Sequence, residues 1–491
     1  AEPPFSAFSK TEKWALIFIA SFTTLFSPLA ANIYFPVIPL LADDFAVSVS
    51  LMNLTVTVYL VFQGLSPMLW GPLADLKGRR PIYFACLGLL TLSSIACALV
   101  PTDKWWLLLI FRCFQSSGGA STVALGAGVV ADLARPQERG GFYGVLVMGS
   151  LLSTPTRPVF GGIIGDALSW RWIFWFLAIC AGACLLLIVL VLPETLRRVV
   201  GDGTIRAPPW GRPLLPLFPL VRRQRKAPPA DPNRASQPPE KTKVNPFLLF
   251  KEPDVIFILV ANGLVYGIVV GIQASSSLLF QRAYPQLSLS EIGLCFLPLG
   301  AGCLISSLVT GKFLDWQYKR DRRSWEIRKK REREEAGEKI DAPWSEYDEL
   351  TFPIERARLK LGTFYTFCVC AVNIGYGWVL DRYGPLAVTL ILQFIAGFVI
   401  IGQMNAFQTL LIDLFPKAGS SATAINNCVR CLIGALVTSV INLILKGLGT
   451  GWTYVLLSGI CVLITPAFTV IVIRFGPRWR ARRFERAKST S

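Results

Sequence analysis

The sequence predicts an all-α membrane protein with about twelve transmembrane helices in two pseudo-symmetric six-helix halves. Composition is the first reason: 53% of the 491 residues are hydrophobic and only 16% are charged. A soluble protein carries roughly 25% charged residues. The second reason is that the apolar residues fall into runs of about 20, the length that a helix needs to cross a bilayer.

Twelve apolar runs meet this length, six on each side of a polar stretch rich in Pro and Arg. The first-half spans are predicted at Trp14–Leu40, Leu51–Pro72, Pro81–Val100, Trp106–Ala131, Gly141–Gly165 and Trp172–Leu192. The second-half spans are predicted at Val255–Phe280, Ile292–Gly311, Leu361–Val379, Leu386–Leu411, Ala422–Leu445 and Tyr454–Ile473. We expect the first span to be the least regular, because prolines interrupt it.

Positive charge alternates between successive loops. The net charge of +18 is concentrated in every second loop, whereas the opposite loops hold single cations such as Lys104 and Arg171. Cytoplasmic loops carry the excess of Lys and Arg, so both termini and the long central loop are predicted to be cytoplasmic. Cations placed between apolar runs indicate contact with the lipid bilayer and argue against a nucleic-acid partner.

The predicted organisation follows from these runs. It comprises a cytoplasmic N-terminal tail (1–13), an N-terminal six-helix half (14–192), a cytoplasmic central loop (193–253), a C-terminal half (254–474) with a cytoplasmic insertion (313–359), and a basic cytoplasmic tail (475–491). The first apolar run is too long for a cleaved signal peptide. Since the sequence opens on Ala1 rather than Met, we expect further polar residues before it.

Histidine is absent from the sequence. This excludes Ser-His-Asp catalysis and HExxH zinc sites. The cysteines lie mostly inside apolar runs, where they behave as small hydrophobes. We therefore predict no catalytic residues, no metal site and no enzymatic activity.

A compact charged turn connects the second and third spans. We assign a gating role to its residues Gly71, Asp75, Gly78, Arg79 and Arg80. The two glycines permit a tight backbone, and Asp75 lies close to three cations. Such a turn at a membrane surface is able to lock two spanning helices together and to release them after a small shift.

Weak internal repetition accompanies this turn. The fourth and tenth spans end in similar segments that contain Asp132 and Asp413. After the eighth span, Gly311–Asp315 is a degenerate copy of Gly71–Asp75. Repeated halves of this kind enclose a substrate site near the middle of the membrane.

Three ionisable residues lie within the spans: Arg112, Arg157 and Arg430. Such residues are rare in membranes and usually functional. Arg112 lies roughly 9 Å, and Arg157 roughly 12 Å, below the outer ends of their helices. Arg430 lies near the middle of the eleventh span, and Asn426 and Asn427 share its face.

No Asp or Glu lies deep within any span, so the interior favours an anion. A carboxylate substrate would form bidentate hydrogen bonds with these arginines. Gln115 and Asn32 are candidate neighbours in the same substrate-binding or coupling site. For each arginine there are two alternatives. It binds substrate, or it has a structural role in which it contacts backbone carbonyls, water or another helix.

Several segments resemble the major facilitator superfamily. Gly71–Arg80 resembles the signature loop between its second and third helices, and Arg112–Gly118 resembles its Arg-x-x-Gln-Gly signature. Pro158, Gly161 and Gly162 resemble the end of the antiporter signature, whose glycines allow close helix packing. Ser27–Pro36 and Ala424–Cys431 are similar to the quinidine-resistance and citrate-exporter branch of the fungal twelve-span drug:proton antiporter family.

This resemblance implies the major facilitator fold and a monomeric plasma-membrane protein. It also implies export of a small-molecule solute by alternating access, with an ion gradient, expected to be protons, and no cofactor. A drug-like compound or secondary metabolite is the first expected substrate class, and an organic anion such as citrate is the alternative. Ser153 and Arg157 replace glycines of the antiporter signature, which keeps a non-transporting sensor as a further alternative.

Overall fold

The computed structural model describes residues 6–134, 138–219, 246–335, 351–415 and 419–490. These residues form helices and no β-strand. The first nine α-helices are α1 Lys10–Thr24, α2 Phe26–Asn32, α3 Ile38–Asp44, α4 Val49–Lys77, α5 Arg79–Ala98, α6 Trp105–Leu133, α7 Arg139–Ala167, α8 Trp170–Val191 and α9 Arg197–Val200. The others are α10 Pro253–Ala283, α11 Leu289–Leu294, α12 Leu297–Glu335, α13 Ile354–Leu359, α14 Gly362–Asp381, α15 Leu386–Leu414, α16 Gly419–Leu448 and α17 Thr450–Thr490.

The all-α membrane class is confirmed. Each predicted span coincides with a long helix or with a broken series of shorter ones. In the described part of the chain, ten helical segments are long and apolar enough to cross a membrane. The remaining two predicted spans coincide with α6 and α7, which are of similar length but carry Arg112 and Arg157 among small and polar residues.

The first span is broken as its prolines predict. α1, α2, a short 3-10 turn at Phe35–Val37 and α3 follow one another within it. Pro36 and Pro39 cannot donate a backbone hydrogen bond, and each lies in the first two positions of its element, where no such donor is needed. Because α2 ends here, its last carbonyl groups are accessible to side chains.

Two helices continue well past their predicted spans. α12 runs on to Glu335 and α17 to Thr490. The predicted tail from 475 and the start of the predicted insertion are thus helical extensions. Parts of the tail 1–13, the central loop 193–253 and the insertion 313–359 lie outside the described residues.

The chain divides into two compact units. The first contains Ala1–Lys243 with Ala274–Leu297, and the second contains Val244–Gln273 with Pro298–Ser491. Within the first unit, α11 packs against α7. Ser277 Oγ donates to Pro36 O at 2.7 Å, and Ser290 Oγ donates to Asp166 Oδ2 at 2.6 Å. Ends of the seventh and eighth spans therefore pack on helices of the predicted N-terminal half.

Candidate functional site

The signature loop is a one-residue break between two helices. α4 ends at Lys77 and α5 begins at Arg79. Gly78 has a φ of +115°, and a Cβ there would lie 2.9 Å from Trp210 Cζ3 and would also clash with the Glu194 carboxylate. Gly71 lies within α4 with open space around it. Only Gly78 is needed for the turn, so the expectation that both glycines tighten the backbone is wrong.

Arg79 is the centre of an ion-pair cluster in the first unit. Its Nε donates to Asp132 Oδ2 at 2.9 Å, and its Nη2 lies 2.7 Å from Asp75 Oδ1. The Arg79 side chain is 5% exposed and that of Asp132 7%, whereas Asp75 is 49% exposed. α4, α5 and α6 are thereby joined at one end. We call Asp75, Arg79, Asp132 and Glu194 the first latch.

Glu194 completes this latch, and sequence reasoning missed its role. The backbone N–H groups of Arg79 and Arg80 donate to its Oε1 and Oε2 at 2.8 and 3.2 Å. Those of Thr195 and Leu196 donate to Oε1 at 3.0 and 2.9 Å. Burial raises the pKa of the Glu194 carboxyl, and these backbone hydrogen bonds partly oppose the rise. The available signal was an acidic residue two positions after Leu192, where the sixth predicted span ends.

Arg80 connects the loop to the last turn of α8 and to the chain that follows it. Its Nη2 donates to Val189 O at 2.8 Å and its Nη1 to Trp210 O. Trp210 also covers Gly78. The predicted gating residues are therefore brought together at one end of the first unit, apart from Gly71.

The second unit contains a corresponding arrangement, which we call the second latch. Arg358 Nε donates to Asp413 Oδ2 at 2.8 Å, and Arg358 Nη1 lies 3.5 Å from Asp315 Oδ1. The guanidinium also stacks 4.3 Å from the Tyr318 ring centroid. Both acids belong to the repeated segments of the sequence, whereas Arg358 comes from α13, at the end of the predicted insertion, where no repeat marks it.

Arg112 is fully buried and engaged by the broken first span. Its Nη1 donates to Ala30 O at 2.8 Å and its Nη2 to Ala31 O at 3.2 Å. Its Cζ lies 4.3 Å from the Tyr34 ring centroid and 4.2 Å from that of Tyr59. A cation at the carboxyl end of a helix meets free carbonyls and the negative end of its dipole. Arg112 thus caps α2.

Gln115 and Asn32 lie around this cap. Gln115 Oε1 accepts from Arg112 Nη1 at 2.5 Å, and Gln115 Nε2 donates to Ser94 Oγ at 2.8 Å. Asn32 is the last residue of α2 and directly follows Ala31. Gln115 thus connects Arg112 to Ser94 in α5 through hydrogen bonds.

Arg157 reaches the same short helix from α7. Its Nη1 donates to Pro28 O at 3.1 Å, and the side chain is buried. A Cβ on the nearby Gly161 would overlap Ile33 O, and one on Gly162 would lie 2.8 Å from Leu289 O. These glycines thus allow α7 to pack closely on the first span and on α11. Pro158 takes part as well, since its carbonyl lies 2.8 Å from a Cβ built on Gly293.

Arg430, in the second unit, has a different environment. Its Nη2 donates to Asn427 Oδ1 at 2.7 Å, and its Cζ lies 4.9 Å from the Tyr266 ring centroid. The residue is half-buried in α16, and among the described residues it forms no ion pair. Tyr266 was not expected at this site.

Asn426 belongs to an amide network beside Arg430. Its Oδ1 accepts from Asn262 Nδ2 at 2.8 Å, and its Nδ2 donates to Gln408 Oε1. Gln408 Nε2 in turn donates to Thr423 Oγ1 at 3.0 Å. The network joins α10, α15 and α16, so it holds the face of α16 that carries Asn427 and Arg430.

A set of membrane-crossing helices with buried arginines and two repeated ion-pair latches defines a multi-pass membrane transporter. Residues 20–327 match the family profile of the Major Facilitator Superfamily. The chain belongs to this superfamily.

Its relatives are fungal transporters. The chain is 34% identical to Citrate exporter 1 of Aspergillus niger, over 99% of this chain and 90% of that protein. It is 32% identical to the multidrug transporter QDR2 of Candida glabrata, over 94% of this chain and 80% of that protein. The fold is similar to that of a crystallised D-xylose–proton symporter, with a TM-score of 0.64, 15% identity, and coverage of 93% of this chain and 96% of that one. The predicted resemblance to this family and branch is confirmed.

Proposed function

We propose that this protein is a secondary active exporter of small organic solutes that carry an anionic group. Alternating access would be driven by the proton gradient, without a cofactor. The observation that carries the proposal is Arg430, a half-buried cation in the apolar helix α16 that lies beside Tyr266 and Asn427. An arginine in a membrane span requires a counter-charge, polar partner or water. A substrate carboxylate would supply that counter-charge through bidentate hydrogen bonds.

The other two arginines serve structure in this proposal. Arg112 and Arg157 donate to carbonyls of α2, so we assign them to holding the broken first span. Asn427 and Arg430 are then the substrate contacts, and Asn426 positions them. Citrate exporter 1 is a relative whose name states a carboxylate substrate, which supports this class.

A second candidate is export of a drug-like compound or secondary metabolite. The multidrug transporter QDR2 is a relative of similar identity. The Tyr266 ring next to Arg430 would also pack against an apolar or aromatic substrate. Substrates that combine an acidic group with an apolar body satisfy both candidates. In either case we place the monomeric protein in the plasma membrane with both termini in the cytoplasm.

Transport into inside-out membrane vesicles from a strain without its own exporters tests the proposal. Labelled citrate, a monocarboxylate, an acidic aromatic metabolite and a cationic drug form the panel, each with and without a protonophore. We expect uptake of at least one anion, abolished by the protonophore. Uptake of the cationic drug with no uptake of any anion would favour the second candidate.

Arg430→Gln is the decisive variant in this assay. Loss of a charged hydrogen bond of about 1.5–3 kcal/mol corresponds to about a 10- to 100-fold weaker apparent affinity for the anion. Arg323→Gln, at an exposed position on α12, is the matched control and should transport like the wild type. Unchanged anion uptake by Arg430→Gln would remove Arg430 from the substrate site.

A further inference from the structure

Four arginines recur every fourth residue at the end of α17: Arg474, Arg478, Arg482 and Arg486. All four are exposed. Because an α-helix has 3.6 residues per turn, a spacing of four keeps side chains on one slowly drifting face. We call Arg474, Arg478 and Arg482 the arginine stripe. Among the described residues, Arg474, Arg478 and Arg482 form no ion pair.

The opposite side of the same helix faces the second unit. Arg483 Nη2 donates to Asp254 Oδ2 at 2.7 Å, and Asp254 is fully buried. Arg480 Nη2 donates to Phe352 O at 2.6 Å and lies 3.7 Å from Glu355 Oε2. These contacts to α10 and to the start of α13 fix the orientation of α17 about its own axis. The arginine stripe is therefore directed away from the protein.

The stripe begins where the apolar part of α17 ends. The last predicted span ends at Ile473, and Arg474 is the next residue. Phe475 is 37% exposed, and Arg478 Cζ lies 5.9 Å from its ring centroid. Aromatic and basic residues together are typical of the membrane–water interface. The polar layer of each leaflet is roughly 5–8 Å thick. Arg478 lies about 6 Å further along the helix axis, within this layer, whereas Arg482 lies about 12 Å further, outside the layer but within a Debye length of about 8–10 Å of its charges.

The basic extension of α12 differs from the stripe because its cations have acidic partners. Arg322 Nε lies 3.1 Å from Glu326 Oε1, and Lys329 Nζ lies 2.9 Å from Glu332 Oε2. Positive charge is thus partly neutralised on α12. The three arginines of the stripe form no such ion pair within the described part of the chain.

We propose that the arginine stripe binds the headgroups of anionic phospholipids in the leaflet where α17 leaves the bilayer. The charge pattern of the loops predicts that this is the cytoplasmic leaflet. A guanidinium binds a phosphate through two parallel hydrogen bonds, and basic clusters beside a spanning helix attract anionic lipids. The proposal concerns the lipid contact and holds whatever solute is transported.

Lipid titration of the purified full chain in neutral detergent tests this proposal. Dihexanoyl-phosphatidylserine, dihexanoyl-phosphatidylcholine and free phosphoserine are each added, and the melting temperature is followed to obtain a half-saturating concentration. We expect phosphatidylserine to raise the melting temperature at lower concentrations than phosphatidylcholine does. Phosphoserine lacks acyl chains although its phosphate monoester carries more negative charge than the phosphodiester of the lipid, so it should have little effect.

The triple variant R474Q/R478Q/R482Q should require at least about fivefold more phosphatidylserine. The matched control R323Q/R328Q/R331Q removes the same charge from exposed positions of α12 and should titrate like the wild type. Equal losses in both variants would show a non-specific charge effect and overturn the proposal. A wild type that does not distinguish the two lipids, or that responds equally to phosphoserine, would also overturn it. If the triple variant does not fold, the single variant R478Q must shift the titration in the same direction.

Discussion

Arg79 Nε donates to Asp132 Oδ2 at 2.9 Å, and both side chains are buried. The second unit repeats this contact between Arg358 and Asp413 at 2.8 Å. In each unit the arginine also reaches a more exposed acid, which is Asp75 in the first. In the first latch the pair is buried and the additional acid, Asp75, is exposed, so water reaches the contact from one side. This arrangement suits a contact that must open during a transport cycle.

Asp132→Asn tests the buried pair of the first latch. Removing one partner of a buried ion pair costs about 3 kcal/mol, because the remaining charge stays desolvated. We expect a clearly lower melting temperature for the purified protein. Asp75→Asn, at the exposed side of the same arginine, should cost less than about 1 kcal/mol. Equal effects of the two variants would contradict the assignment of Asp132 as the main partner of Arg79.

Glu194 gives the first latch a pH dependence. Its pKa in the folded protein is raised above 4.5 by burial, so the folded state binds more protons than the unfolded state between these two pKa values. This contribution to the free energy of unfolding is fully present below the unfolded pKa and is lost as the pH rises through the folded pKa. Glu194→Gln should flatten the fall in melting temperature with rising pH. Asp103→Asn, at an exposed loop position, should leave the slope unchanged.

Gly78→Ala tests the turn between α4 and α5. A side chain is strained at a φ of +115°, and its Cβ would meet Trp210 and Glu194. We expect destabilisation of about 1–3 kcal/mol and a lower yield of folded protein. Gly71→Ala is the matched control. It adds a methyl group in open space within a helix, where Ala is favoured over Gly by roughly 0.5–1 kcal/mol, so the melting temperature should stay the same or rise. A loss of stability in Gly71→Ala equal to that in Gly78→Ala would contradict this reading of the turn.

The helices were predictable because each span is a local property of the sequence. Run length located the spans, and prolines predicted the break between α2 and α3. Asp132 and Asp413 were recognised through repetition, but their partner Arg358 was not. It comes from α13, at the end of the predicted insertion, and no local pattern states where a chain returns at the end of such a segment.

The roles of the three arginines within the spans depend on their surroundings, which sequence position does not specify. Depth along α6 placed Arg112 within the bilayer but did not predict the carbonyls that it contacts. Those carbonyls are accessible to Arg112 because α2 ends at Asn32. The partners of Arg430 include Tyr266 from α10, which lies far away along the chain. For this reason the sequence left a structural role and a binding role open for each arginine.

Because Arg112 and Arg430 have different surroundings, we expect the same substitution to lower stability at Arg112 and substrate affinity at Arg430. Arg112→Lys replaces a planar fork, which reaches two carbonyls and stacks between two tyrosine rings, by a single ammonium group. Lysine cannot reproduce that geometry, and the buried carbonyls of Ala30 and Ala31 would lose donors. We expect a loss of about 2–4 kcal/mol of stability from two such hydrogen bonds to a charged group, measured as a lower melting temperature in detergent. Arg430→Lys keeps the charge at a half-buried position, so the melting temperature should change little while the apparent affinity for an anionic substrate falls. A stable Arg112→Lys protein with impaired anion transport would instead place Arg112 at the substrate.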